Sequence, residues 1–181
     1  MAEPAGRREM RSGSAADDWL SLARSYAREG EFVAASEACA RALEAVPGHA
    51  VALASRGVLR ALLDDLRGAE ADFEAALARD PDSVAVLFSR GALRLERHDY
   101  PGALLDFDDA VGLDPSHAGA LACRGYARAA LGDVRGGLDD LDRAVRMSPD
   151  DLLPTYLRAG LRLRIGDPAA REDLLRLADH E

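Results

Sequence analysis

The chain has 181 residues, a formal charge of −9 and 48% hydrophobic and 30% charged residues, the balance of a folded soluble domain and not of a disordered one. Its acidity argues against nucleic acid as the main partner, because a chain binds phosphates by neutralising them, and against general binding to anionic membranes. No stretch approaches the roughly 20 apolar residues of a spanning helix. All 23 basic residues are arginine, and Lys, Asn and Gln are absent; this composition points to a GC-rich, bacterial genome and leaves no side-chain amide to clamp a peptide backbone.

Residues 1–16, rich in Ala, Gly, Ser, Arg and Glu, have no apolar core. They read as a disordered tail and not as a secretory signal, which leaves the cytoplasm as the default compartment. After them the chain repeats. Pro47, Pro81, Pro115 and Pro149 are spaced by 34 residues, in phase with Gly57, Gly91 and Gly125 and with Ala42, Ala76, Ala110, Ala144 and Ala178. Cys39, Phe73, Phe107, Leu141 and Leu175 form a further column, apolar and large in all but the first unit. A second break inside each unit, such as Glu29-Gly30-Glu31 or His98-Asp99, divides it into two helices of about 12–14 residues. The units are 17–49, 50–83, 84–117, 118–151 and 152–181. A hairpin of this length cannot bury its own apolar face, so neighbours must stack. The last helix, from Pro168, reads as a polar cap. Gly136 and Gly137 cost about 1 kcal/mol each in a helix, so the fourth hairpin is expected to be the softest of the middle three.

These columns resemble the tetratricopeptide repeat over residues 17–181. Trp19, Leu22, Ala23, Tyr26, Gly30, Phe32, Ala35, Ala42 and Pro47 carry the pattern in the first unit, and later units carry the Arg-Gly variant at Arg56-Gly57, Arg90-Gly91 and Arg124-Gly125. The resemblance implies an all-α fold, a right-handed superhelical solenoid of antiparallel helical hairpins whose first helices line a concave groove. The groove residues it implies are Leu20, Arg24 and Arg28 in the first unit and Val51, Ala54, Val58 and Leu62 in the second. Phe88 and Leu95 follow in the third, Tyr126 in the fourth, and Tyr156, Leu163 and Arg164 in the fifth. The carboxylate-clamp members of the family rely on Lys and Asn, which this chain lacks, so an apolar helix or extended segment of another protein is the implied partner. Internal packing or association with a second copy are the competing uses of the same face.

Two charged columns share the period. Arg60, Arg94, Arg128 and Arg162 lie in the first helices, with Arg56, Arg90, Arg124 and Arg158 one turn earlier; Asp72, Asp106 and Asp140 lie in the second helices. Each middle hairpin is expected to hold an Arg–Asp tie, unless these charges are only a duplicated solvated face. In the fifth unit Arg162 is set opposite Leu174, with Asp173 facing elsewhere.

Catalytic chemistry is not indicated. His49, His98, His117 and His180 do not converge, the carboxylates lack the alternating spacing of a calcium loop, and no Gly-rich loop follows a strand. Cys39 and Cys123 read as buried structural thiols too far apart to bridge. The sequence therefore predicts a protein-binding adaptor or scaffold without cofactor or metal. A dedicated chaperone shielding apolar client segments, like the secretion chaperones that resemble this family, is the alternative.

Overall fold

The computed structural model describes residues 12–179. Ten α-helices and no strand occur among them: α1 Ser12–Arg28, α2 Phe32–Ala45, α3 Ala50–Leu62, α4 Leu66–Leu77, α5 Val84–Glu96, α6 Tyr100–Leu113, α7 Ala118–Ala130, α8 Val134–Met147, α9 Leu152–Ile165 and α10 Ala170–Ala178. They fall into two compact units, one ending at Pro81 with α1–α4 and one starting at Asp82 with α5–α10. Consecutive helices pair as antiparallel hairpins. Residues 1–11 and His180 lie outside the described residues. Residues 12–16, expected in the tail, instead form the first turn of α1. Fully buried Ala16 starts an i, i+4, i+7 stripe with Leu20 and Ala23 that packs on Ala35, Cys39 and Ala42.

The turns explain the helix limits. Asp65, Asp99 and Asp133 cap α4, α6 and α8, their carboxylates accepting from the backbone N–H of Gly68, Gly102 and Gly136. Gly136 is thus a first-turn residue beneath a cap, not a weak point in mid-helix. His49 and His117 cap α3 and α7 through Nδ1, which accepts from Ala52 and Ala120. Inside each hairpin the turn needs a left-handed residue. Gly30, Gly132 and Gly166 supply it in the first, fourth and fifth hairpins, whereas Asp64 (φ 65°) and His98 (φ 59°) adopt it in the second and third.

The hairpins close through three kinds of contact. Phe73 and Phe107 lay their rings on Gly57 and Gly91, where an added Cβ would come within 2.7 Å of the ring. In the fourth hairpin Leu141 replaces the phenylalanine and the backbones themselves meet: a Cβ on Gly125 would lie 2.7 Å from the Gly137 carbonyl. The third contact is ionic. Buried Asp72 accepts from both Arg56 and Arg60, Asp106 from Arg90 and Arg94, and Asp140 from Arg124 and Arg128, with the closest N–O distance in each pairing between 2.6 and 2.9 Å. Hydrogen bonds to Asp72 and Asp140 strengthen the protonated state of Arg56 and Arg124.

The fifth hairpin departs from its sequence reading. Asp173 is buried and clasped by Arg158 at 2.5 Å and Arg162 at 3.0 Å, so it does not face elsewhere. Here the residues of α10 fall one place early in the 34-residue phase, and the helix begins at Ala170 after the turn Asp167-Pro168-Ala169, in which the Ala169 N–H donates to the Asp167 carboxylate. Ala170 takes the buried place expected for residue 171, and Leu174, not Leu175, follows Leu141 in the core column. Arg176 likewise donates to the Pro149 carbonyl as Arg143 does to that of Pro115. The expected polar cap therefore exposes Leu174 and Leu175.

The clasp also reaches back to the preceding hairpin. Asp108 of α6 pairs with Arg124 at 3.1 Å and Arg128 at 3.5 Å, and Asp142 of α8 pairs with Arg158 at 2.8 Å and Arg162 at 3.1 Å.

This packing can be tested by unfolding. Asp106→Ala strands two arginines and should cost about 3–5 kcal/mol in chemical unfolding, whereas Asp108→Ala, at a half-exposed carboxylate, should cost less than about 1 kcal/mol. An unchanged midpoint for Asp106→Ala would reduce the clasp to surface charge. Asp64→Gly relieves a left-handed non-glycine residue and should raise stability by about 0.5–1 kcal/mol by the same assay.

Candidate partner-binding site

The first helices of each unit carry the residues expected to meet a partner, and the structure gathers them into two separate hollows. In the first unit Arg24 and Ala27 of α1, Phe32 of α2 and Val58 and Leu62 of α3 surround a hollow of about 280 Å³. Leu20 lies at its floor but is only 5% exposed and belongs to the core; its expected role as a free contact is corrected to that of support. Its position on α1 continues the Ala16 stripe, which turns it inward. Val58 and Leu62 are exposed, as is Val51 farther along α3, while Ala54 is half-buried. Arg28 is exposed and donates to the Arg24 carbonyl.

In the second unit a hollow of about 550 Å³ opens between α7 and α9 above α8 and α10. Tyr126, Tyr156, Leu163 and Arg164, all expected from the sequence, line it together with Leu141, Leu157, Leu174 and Leu177. The four added leucines follow from packing: Leu141 forms part of the floor, and the register of α10 brings in Leu174. Arg164 is not a free cation, since its guanidinium donates to the Ala129 carbonyl at 3.1 Å near the C-terminus of α7, a favourable end for positive charge. The Tyr126 ring meets Tyr100 edge-on at 6.2 Å.

Phe88 and Leu95 stand apart from this hollow. Both are half-buried against Ala103, Phe107 and Cys123, and the Phe88 ring lies 6.0 Å from Phe107 and 5.0 Å from His117. Phe88 spends much of its surface on internal packing.

Other chemistry is sparse. His49 and His117 are engaged as caps, and the His98 ring is hydrogen-bonded to the Tyr100 hydroxyl at 3.0 Å. No cluster of three His, Cys, Asp or Glu suited to a metal occurs among the described residues, and no helix among them is long and apolar enough to cross a membrane.

Cys39 and Cys123 are buried, free thiols. Burial pushes both from the ordinary value of 9.0 up to about 11. The native thiols therefore stay neutral where unfolded thiols ionise. Their contribution to stability is complete below pH 9 and is lost as pH rises through about 11. Unfolding measured from pH 8 to about 11 should fall more steeply for the wild type than for Cys39→Ala/Cys123→Ala, and native thiols should resist a disulfide reagent at pH 7.5 until denaturant is added.

Residues 55–118 match the family model described as tetratricopeptide repeat. A 47-residue stretch, 26% of the chain, is 55% identical to a mouse FK506-binding protein-like protein, and it spans 14% of that protein's length. Among solved structures, MamA of Desulfovibrio magneticus RS-1 (residues 41 to the end) is similar at a TM-score of 0.82 and 20% identity, over 93% of this chain and 96% of that one. The pilF protein of Pseudomonas aeruginosa is similar at 0.84 and 20% identity, over 94% and 78%. A thermophilic tetratricopeptide repeat protein of Thermus thermophilus is similar at 0.74 and 22% identity, over 91% and 89%. The repeat model is thus matched in the middle of the chain, at residues 55–118, and the helical-hairpin fold of these tetratricopeptide repeat proteins is shared along nearly its whole length.

Proposed function

We propose that the chain is a protein-binding adaptor that holds an apolar segment of another protein against the exposed faces of its first helices. The observation carrying this reading is the grouping of exposed Val58 and Leu62 in one unit, and of exposed Tyr126, Tyr156 and Leu163 in the other, each around a hollow. Large apolar side chains grouped around hollows are characteristic of surfaces that anchor partner side chains, and the aromatic pair supplies the residue type that most often anchors interfaces. The chain has no Lys or Asn, the residues on which the carboxylate-clamp members of the family rely. The repeat fold supports a scaffold, and the reduced, buried cysteines suit a cytoplasmic setting. The all-arginine composition and the bacterial proteins that share the fold support a bacterial origin.

The test replaces exposed face residues and leaves the clasp intact. In pull-downs from host lysate, a Val58→Glu/Tyr126→Glu variant of unchanged helicity should retain at least about ten-fold less of a partner held by the wild type. Retention unchanged by both substitutions would move the site off these faces. A retained protein that aggregates without this chain and stays soluble with it would mark a chaperone; a partner that is stable alone marks an adaptor.

A further inference from the structure

The first and the last of the described hairpins differ from the others in a matched way. At the junctions within the second unit, a carboxylate of one second helix meets arginines of the next first helix: Asp108 meets Arg124, and Asp142 meets Arg158. In the one-residue shifted register of α10, the place of Asp142 is taken by Leu175. One period back along the chain, the place of Arg56, Arg90 and Arg124 is taken by Leu22 of α1. Each end has thus exchanged its half of the ion pair for a leucine, and both leucines face solvent, Leu22 at 37% and Leu175 at 56% exposure. Two further columns change at the same ends. Leu53 and Leu121 are buried, yet Trp19 in their column is exposed; Leu141 is buried where the fifth hairpin follows it, yet Leu174 is 44% exposed.

We propose that these faces bind each other, the Leu174–Leu175 face of one copy stacking on the Trp19–Leu22 face of a second copy. The occupant is indicated by the chain itself. Within the second unit, the face corresponding to Leu174–Leu175 is covered by the next hairpin of the same repeat pattern. An isolated leucine at one end would be unremarkable. A leucine at both ends, in the two columns that pair at internal junctions, makes an apolar contact in place of an ionic one. It also rejects the interior arginine face, because a buried unpaired guanidinium is strongly unfavourable. The contact is heterologous, so each added copy presents a free face to the next. Leu174 also lines the α7–α9 hollow with Tyr126, whereas Trp19, Leu22 and Leu175, the positions substituted in the test, line neither hollow.

Sedimentation of the 181-residue chain from about 1 µM to about 300 µM, the range for a modest contact, tests the proposal. The weight-average mass should rise progressively above the 19.3 kDa of one chain. Leu22→Arg and Leu175→Asp alone should each weaken association at least ten-fold, and Trp19→Ala should weaken it as a second probe of the same face. Combining Leu22→Arg with Leu175→Asp should restore it, in a salt-sensitive form, by recreating the pair seen at Asp108–Arg124. A wild type that stays at one chain mass, or that plateaus at two, overturns the proposal, as do single variants that associate normally or a double variant without recovery. Circular dichroism of each variant separates lost association from lost helix, and unchanged partner retention separates this surface from the adaptor face.

Discussion

A carboxylate buried between two arginines is the constraint on which the rest of the packing depends. In four successive hairpins an aspartate from the second helix is held by guanidiniums one turn apart on the first helix. One arginine could neutralise the charge, but two fix the position and rotation of one helix against the other, since each planar fork has few ways to meet the same carboxylate. Lysine would neutralise the charge without fixing the geometry, so an all-arginine chain suits this architecture. The desolvation cost of the buried ions offsets much of their attraction. The clasp accordingly specifies how a hairpin closes more than it adds to net stability.

Once that geometry is set, the apolar contacts have little freedom. The distance that lets Asp72 and Asp106 reach both arginines also places Phe73 and Phe107 on Gly57 and Gly91, where no Cβ fits. The fourth hairpin keeps the clasp but shrinks the filler. Leu141 stands in for phenylalanine, and Gly137 lets the backbone of α8 meet that of α7. The helix-propensity cost of Gly137 is therefore tied to a close interhelical approach, so propensity alone does not identify this hairpin as soft. The first hairpin has no clasp, having Leu22, Tyr26 and Ala38 in those columns; it closes on an apolar cluster extended by Ala16.

Much of this was legible because the period is strict. Thirty-four-residue spacing of Pro, Gly, Ala, Arg and Asp marks the helices and the clasp. The fifth hairpin was misread for the same reason: the period was carried through a turn that breaks it. The signal lay in three residues one place early, Ala170, Asp173 and Arg176, each matching the chemistry of its column 33 residues before. The start of α1 was misplaced because Ala16 sits in a stretch of small and polar residues, and an alanine reveals burial only through the stripe it begins. On the candidate site, Tyr126, Tyr156, Leu163 and Arg164 line one hollow. Leu20 and Phe88 were not free, because a column position says which way a side chain leaves its helix and not whether a neighbour leaves space to receive it.

The distribution of variation along the repeats separates the columns that close hairpins from those proposed to meet a partner. The columns that close hairpins are nearly uniform: arginine at two places, aspartate at one, glycine or alanine where helices touch. The column of Arg24, Val58, Ala92, Tyr126 and Gly160 differs in every hairpin, and each of those side chains lies on a first helix. A position that does not determine closure can change in size and charge without disturbing the clasp. Val58→Glu alters what the face presents, whereas Asp106→Ala alters whether the hairpin closes. Recognition proposed for these faces could diversify on a fixed frame, since the residues that hold the frame and those proposed to meet a partner occupy different columns of the same helix.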